Sequence, residues 1–293
     1  MCRAMSVRLL VALSLVVLAA SASSLHAQPR VTFSASLANG PDAEMSRGTG
    51  TGICRHDAPV GVGTTVAPTL ESLPGQPRFW PVREDADAIC WLAAGNFDKR
   101  QGTLAFRFRP AWPAGDTAWR LLLADDRTFH DKNENCFRLW KWDDKVIRFE
   151  LRSAEDKYLT FPLSKLPPGE WHHLAATWHC QRGTRLYLDG QRMAAVDYQF
   201  TPIPARLLIL GQAERMKAGL GDYRDLLVLD QMLDDDQIAQ LAAGKFPLVP
   251  SVPPVPLVPP VRPVAPVPTP PRPVFRLGFE GTLDADVAAA GGK

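Results

Sequence analysis

Between Trp171 and Gly190 the chain commits itself to antiparallel pairing. Pro167, Pro168 and Gly169 punctuate the start of this stretch. Trp171 to Trp178 is a run of aromatic and apolar residues, and Gln181-Arg182-Gly183 is a polar bend. Thr184 to Leu188 then alternates, with Leu186 and Leu188 on one side and Arg185 and Tyr187 on the other. Asp189-Gly190 follows as a two-residue hairpin turn, because glycine accepts the positive φ that such a turn demands. Consecutive hairpin strands need neighbours to bury their apolar side, so more strands are expected on either flank.

They are legible at short spacing. Val31 to Leu37 alternates, and Ala88 to Leu92 is a short apolar run. Leu104, Phe106 and Phe108 face one way and Arg107 and Arg109 the other in a strand that Pro110 ends. Trp119 to Ala124 and Tyr158 to Leu163 read as strands, as does Arg206 to Leu210. Phe137 to Trp142 and Val146 to Arg152 flank a turn at Asp143-Asp144-Lys145. Residues 46–79 are loop-like, with short strands near Ile53-Cys54 and Thr64-Thr65-Val66. Leu220 to Leu233 reads as loop that ends in a strand, Leu226 to Leu229. Asp234 to Leu241 is a short helix with acids in its first turn, closed by Gly244. The expected fold is all-β, a two-sheet antiparallel jelly-roll sandwich with one short C-terminal helix.

The run Trp171-His172-His173-Leu174-Ala175-Ala176-Thr177-Trp178, followed by Leu186-Tyr187-Leu188-Asp189-Gly190, resembles the central hairpin of laminin-G-like domains, concanavalin A-like lectin/glucanase jelly rolls. Gly102-Thr103 opening a strand of alternating aromatics closed by Pro110-Ala111-Trp112 resembles the same family, as does the acidic strand and Leu-rich helix ending at Gly244. The resemblance implies a module of an exported bacterial multi-module protein. It points to fold more firmly than to activity, because one fold hosts many functions.

The flanks fit export. Arg3 and Arg8, the apolar run Leu9 to Ala20 and the small residue Ala27 make 1–27 a secretory signal, too short in its apolar part to span a membrane comfortably. Residues 28–246 form the jelly-roll domain. In 247–274, thirteen prolines interleave with valine, a polyproline II spacer that would reach roughly 85 Å at about 3.1 Å per residue. Residues 275–293 repeat the pattern of Val31 to Glu44 and read as the truncated start of a second module. The expected location is secreted, periplasmic or cell surface, with no membrane contact after signal removal. A net charge of +2 argues against a nucleic-acid partner. Cys2 leaves with the signal. Cys54, Cys90, Cys136 and Cys180 permit two disulfides in three connectivities, with sequence order suggesting 54–90 and 136–180; the alternative is buried free thiols.

Catalysis finds little support. A glycoside hydrolase needs two carboxyl groups about 5–5.5 Å apart for retention. Glu150 stands alone between Arg148 and Arg152, and Glu84, Asp85 and Asp87 lie in a loop-like stretch. His172 and His173 point to opposite faces of a strand, and His173 and His179 are about 20 Å apart along it, so they do not share a metal. No cofactor is required; the resemblance admits calcium near the sandwich rim. Asp222 and Asp225 are its only candidates, and Arg224 stands where the family carries an acid. The strongest site is Arg138, Trp140 and Trp142, at i, i+2 and i+4 on one face, suited to stacking on sugar rings and bonding hydroxyls. Arg107 and Arg109 are expected to share that face. The bland alternative is that these tryptophans are packed away. The leading function is a non-catalytic extracellular binding or adhesion module for carbohydrate or a surface protein. A glycoside hydrolase and a structural spacer are the alternatives.

Overall fold

The computed structural model describes residues 28–56, 64–65, 78–126, 136–151, 157–212 and 216–250. The expected signal, most of the spacer and the repeat at 275–293 lie outside the described residues. In chain order the strands are β1 (Arg30–Ala35), β2 (Met45–Ser46), β3 (Ile53–His56), β4 (Thr64–Thr65), β5 (Trp80–Val82) and β6 (Ala88–Leu92). There follow β7 (Gln101–Pro110), β8 (Arg120–Asp125), β9 (Phe137–Trp142), β10 (Val146–Leu151), β11 (Tyr158–Pro162) and β12 (His172–His179). The last are β13 (Gly183–Leu188), β14 (Gln191–Val196), β15 (Leu207–Gly211), β16 (Lys217–Ala218), β17 (Gly221–Leu229) and β18 (Val249–Pro250), with helix α1 (Asp235–Ala242) before β18.

Two nine-stranded sheets result. The first runs β14-β13-β12-β7-β17-β1-β18, with β2 and β5 attached to β1 and β17. The second runs β11-β10-β9-β8-β15-β6-β3-β4, with β16 attached to β8. Nearly all pairs are antiparallel, and the inward-facing residues of both sheets meet in one core. Phe33, Phe106, Phe108, Trp178 and Leu186 from the first sheet pack with Trp91, Leu123, Phe137, Phe149 and Leu210 from the second. This is the jelly-roll sandwich expected from the alternation.

The predicted hairpin forms as expected. Asp189 and Gly190 have φ of 50° and 81°, the two positive values a tight turn between β13 and β14 needs. Gly190 lies against Ala239 of α1, where a Cβ would be 3.1 Å from the helix backbone. The helix begins where predicted: Asp234 accepts from the Gln237 amide and the Gln237 side chain accepts from the Asp234 amide, a reciprocal capping box. Ile238 of α1 packs with Leu233 on Ala105, Ala175, Tyr187 and Leu227, so the helix covers part of the outer face of the first sheet.

Three expectations change. Gly221 to Arg224 belongs to β17 rather than to a loop, because Tyr223 points inward, its ring tilted against Phe108 at 4.7 Å, while Asp222 and Arg224 point outward. A bulge between Arg224 and Leu227, with Asp225 at φ 57°, breaks the alternation that a sequence reading needs. The edge strand β14 was not foreseen, since its residues are half-buried to exposed and a bulge opposite Leu186 and Tyr187 sets the adjacent Met193 and Ala194 both against the core, which breaks the alternation. The disulfide pairing also changes. Cys54 pairs in register with Ile89 and Cys90 with Ile53, one step apart on adjacent strands. Cys54 therefore faces the core and Cys90 the outer face, and side chains pointing apart do not bridge. Cys180 carries a free thiol, so the 136–180 pair is not formed either.

Candidate functional site

The outer face of the second sheet carries the residues singled out from sequence. Register sets Trp140 opposite Arg148 and Arg138 opposite Glu150, which in turn opposes Tyr158 on β11. Arg138, Trp140, Arg148, Glu150 and Tyr158 thus share one face, opposite in direction to the core residues Leu139, Ile147 and Phe149. The shared face of Arg138, Trp140 and Trp142 is as the alternation predicts.

The arrangement is a stack. Trp140 and Trp142 lie nearly parallel, 12° apart with ring centroids 5.7 Å apart. Arg148 places its guanidinium 4.4 Å from the Trp142 ring centre and 3.6 Å from that of Tyr158. Such cation–π contacts fix a long side chain at little cost in rotamer freedom. Glu150 is buried between Arg138, whose Nε donates at 2.7 Å, and Arg148, and so neutralises part of their charge. Trp119, from the loop before β8, lays its ring edge-on against Trp140 at 5.6 Å and donates from Nε1 to Asp143 at 2.6 Å.

Burial redistributes the predicted roles. Trp140 is only 4% exposed and Arg138 is buried as well, so neither presents a free surface. The Trp140 indole Nε1 has no hydrogen-bond partner. Trp142 is half-buried. The rings that reach solvent are Trp119, 52% exposed, and Tyr158, 46% exposed. Sequence reading placed both in strands and assigned neither to the site. Tyr158 was within reach of the hairpin register, which aligns it with Glu150; Trp119 arrives from a loop and left no periodic signal.

The other candidates fall elsewhere. Arg107 and Arg109 belong to β7 of the first sheet and do not share the tryptophan face, because the two strands turn out to lie in different layers. Asp222 is buried, and its carboxylate takes Arg83 at 2.7 Å and Arg109 at 2.5 Å. Asp225 lies 3.8 Å from Arg107 and 3.6 Å from Arg224. Two carboxylates already matched by guanidinium groups do not fit a calcium ion, which needs six to eight oxygen ligands and a negative field. No cluster of three or more metal-ligating side chains occurs among the described residues.

The histidines serve the hairpin. His172 Nδ1 lies 2.8 Å from one carboxylate oxygen of Asp189, and the His173 amide donates to the other at 2.8 Å. Burial, and next the neighbouring Arg107, push the His173 imidazole down to about 4. The acids named for hydrolysis are committed as well. Asp85 holds Arg120 and Lys217, which keep its carboxyl below the usual range against the opposing effect of burial. Asp87 accepts the amides of Arg83 and Glu84 at 3.0 Å. A cavity of about 1020 Å³ opens at one end of the sandwich, lined by Asp98, Arg100, His179, Pro202 and Asp230. Asp98 pairs there with Arg100 and Asp230 with Arg47, and among the described residues its lining includes no tryptophan or tyrosine.

Fold and face together define an antiparallel jelly-roll domain with an aromatic–guanidinium outer surface. The chain belongs to the concanavalin A-like lectin/glucanases superfamily, whose sequence model matches residues 84–239. No curated protein sequence matches it. Among solved structures it is similar to domain 4 of AbnA, a GH43 extracellular arabinanase from Geobacillus stearothermophilus in complex with arabinotriose: 15% identity, TM-score 0.51, 73% of this chain and 99% of that one. It is also similar to the binding domain of botulinum neurotoxin DC in complex with rat synaptotagmin II, at 11% identity and TM-score 0.54, over 74% of this chain and 51% of that one. A third likeness is to botulinum neurotoxin type C, whose cell entry depends upon interaction with two ganglioside molecules, at 12% identity and TM-score 0.54, covering 74% and 51%. This chain spans about half the length of those neurotoxin chains. At such identities the likeness establishes the fold. No helix among the described residues is long and apolar enough to cross a membrane.

Proposed function

We propose that this domain is a non-catalytic, extracellular carbohydrate-binding module whose ligand lies on the outer face of the second sheet. The observation that carries this reading is the exposed pair Trp119 and Tyr158 flanking the Trp142–Arg148 stack. Flat rings held rigid by their neighbours suit the apolar faces of sugar rings. Neighbours of the same fold that bind arabinotriose or gangliosides support it. Export is supported by the leader at 1–27. A non-catalytic role is supported by Glu150, which is buried and tied between two arginines. A surface protein is the second reading, because exposed aromatic and arginine side chains also anchor protein interfaces.

The test is a glycan array probed with the full chain, followed by titration of whatever binds. Trp119→Ala is expected to weaken that binding about tenfold or more, consistent with the loss of one stacking ring. Chelation of calcium is expected to leave it unchanged. Silence across the array, or wild-type affinity in Trp119→Ala, would remove this reading.

A further inference from the structure

The helix α1 covers only part of the outer face of the first sheet. Past its C-terminal end the cross-strand rows turn basic. Arg224 on β17 opposes Arg107 on β7, which opposes His173 on β12. In the next row Asp222 opposes Arg109. Two like charges directly opposite one another on a sheet repel and cost stability, so this row needs a reason.

The available acids do not cancel it. Asp222 is already shared by Arg83 and Arg109. That leaves Asp225 as the acid for both Arg107 and Arg224, at 3.8 and 3.6 Å, distances beyond a hydrogen bond, while Arg107 is held by a 2.8 Å bond that it donates to the Ala242 carbonyl at the end of α1. Glu44 stands near Asp225 but is engaged by the amide and hydroxyl of Ser36. The Arg224 Nε is buried without a hydrogen-bond partner. Burial, and then Arg107 and Arg109, hold the Arg224 guanidinium below its ordinary value against the pull of Asp225.

The guanidinium groups are nevertheless held in place. Arg224 lies 4.4 Å over the Trp171 ring, and Arg109 lies 5.2 Å over the same ring and 5.0 Å over Phe79. Beside Arg107 a recess of about 400 Å³ opens under the end of α1, lined by His173, Gly190, Ala242 and Asp189, whose carboxylate is engaged by the His172 ring and the His173 amide. Fixed, mutually repelling guanidinium groups next to a recess form a preorganised receptor for an anion.

We propose that Arg224 and Arg107, with Arg109 behind them, form a second ligand site that takes the anionic group, carboxylate or sulfate, of an acidic polysaccharide. The saccharide part of this assignment rests on the reading of the domain as a glycan binder. The anion part rests on the arginine row alone. The two sites lie on opposite outer faces of the sandwich, so one chain could engage a neutral and an acidic stretch at once.

Affinity electrophoresis of the full chain through gels containing polygalacturonate, dextran sulfate or neutral dextran tests this. Retardation is expected in one or both of the acidic gels and not in neutral dextran; which gel retards identifies carboxylate or sulfate. Arg224→Gln is expected to weaken that retardation about tenfold or more. It is also expected to raise the unfolding midpoint by about 1–3 °C, by removing the repulsion with Arg107. Arg224→Lys, which keeps the charge but not the fork, is expected to fall between the two. Arg206→Gln, the same charge change on the 83%-exposed arginine of the other sheet, is expected to leave retardation intact. No retardation of the parent by either polyanion would overturn the site. So would equal losses in Arg224→Gln and Arg206→Gln, or a wild-type response in Arg224→Gln. Trp119→Ala separates the two readings: it spares polyanion binding if only the first site fails.

Discussion

Glu150 shows what strand alternation reveals and what it conceals. Its position between Arg148 and Arg152 was plain from sequence, and a lone acid between two bases argued against a catalytic pair. Its partner across the hairpin, Arg138, is named only by the register of β9 and β10. The same face turns three predicted ligand residues into one half-buried ring and two buried supports. His173 is the residue with a measurable signature. Its imidazole titrates near 4 in the folded chain against about 6.5 when unfolded. Between those values the unfolded chain binds the extra proton, so stability is full above about pH 6.5 and is lost as pH falls towards 4. The expected loss is on the order of 3 kcal/mol across that window. Urea unfolding at a series of pH values would read it, and His173→Gln should flatten the curve between pH 6.5 and 4.

At the scale of elements, α1 and β17 differ in how openly they announce themselves. The helix carries local signals: Asp234 as cap, Gln237 three residues on, Asp235 and Asp236 in the first turn and Gly244 beyond the end. Asp234→Ala should cost about 1 kcal/mol, because one amide at the helix start loses its acceptor and the reciprocal box opens. Thermal unfolding would show the shift, and an Asp234→Ser variant should recover most of it. β17 hides its first half. Outward Asp222 finds its charge partner Arg109 on β7, outward Arg224 meets Arg107 there, and the left-handed Asp225 interrupts the period, so a local reading sees a polar loop. β14 was missed for the opposite reason. At this edge a bulge sets the adjacent Met193 and Ala194 both against the core, so no period-two alternation shows, and only the Asp189-Gly190 turn implied that a partner strand must follow.

For the whole molecule, the two sheets are joined by more than apolar packing. Lys99, in the connection from β6 to β7, meets Asp125 at the end of β8 at 2.5 Å, and neither side chain is exposed to solvent. Removing one member leaves a buried charge, so Lys99→Met should cost about 4 kcal/mol, whereas Lys99→Met with Asp125→Leu should recover most of that. Denaturant titration of the two singles and the double would check it; equal losses in single and double would show that the pair is not acting as one unit. The sequence by itself determined most of the strands, the hairpin turn, the helix cap and the class of fold, because period-two alternation, glycine at positive φ and capping are local properties of the chain. Only the tertiary structure decided which strands share a sheet. That decision separated Arg107 and Arg109 from the tryptophans, turned Cys54 away from Cys90, buried Trp140 beneath Trp119 and set Arg224 opposite Arg107. Each depends on residues distant in sequence meeting across a sheet, and such pairing is fixed by register and layer rather than by neighbouring residues.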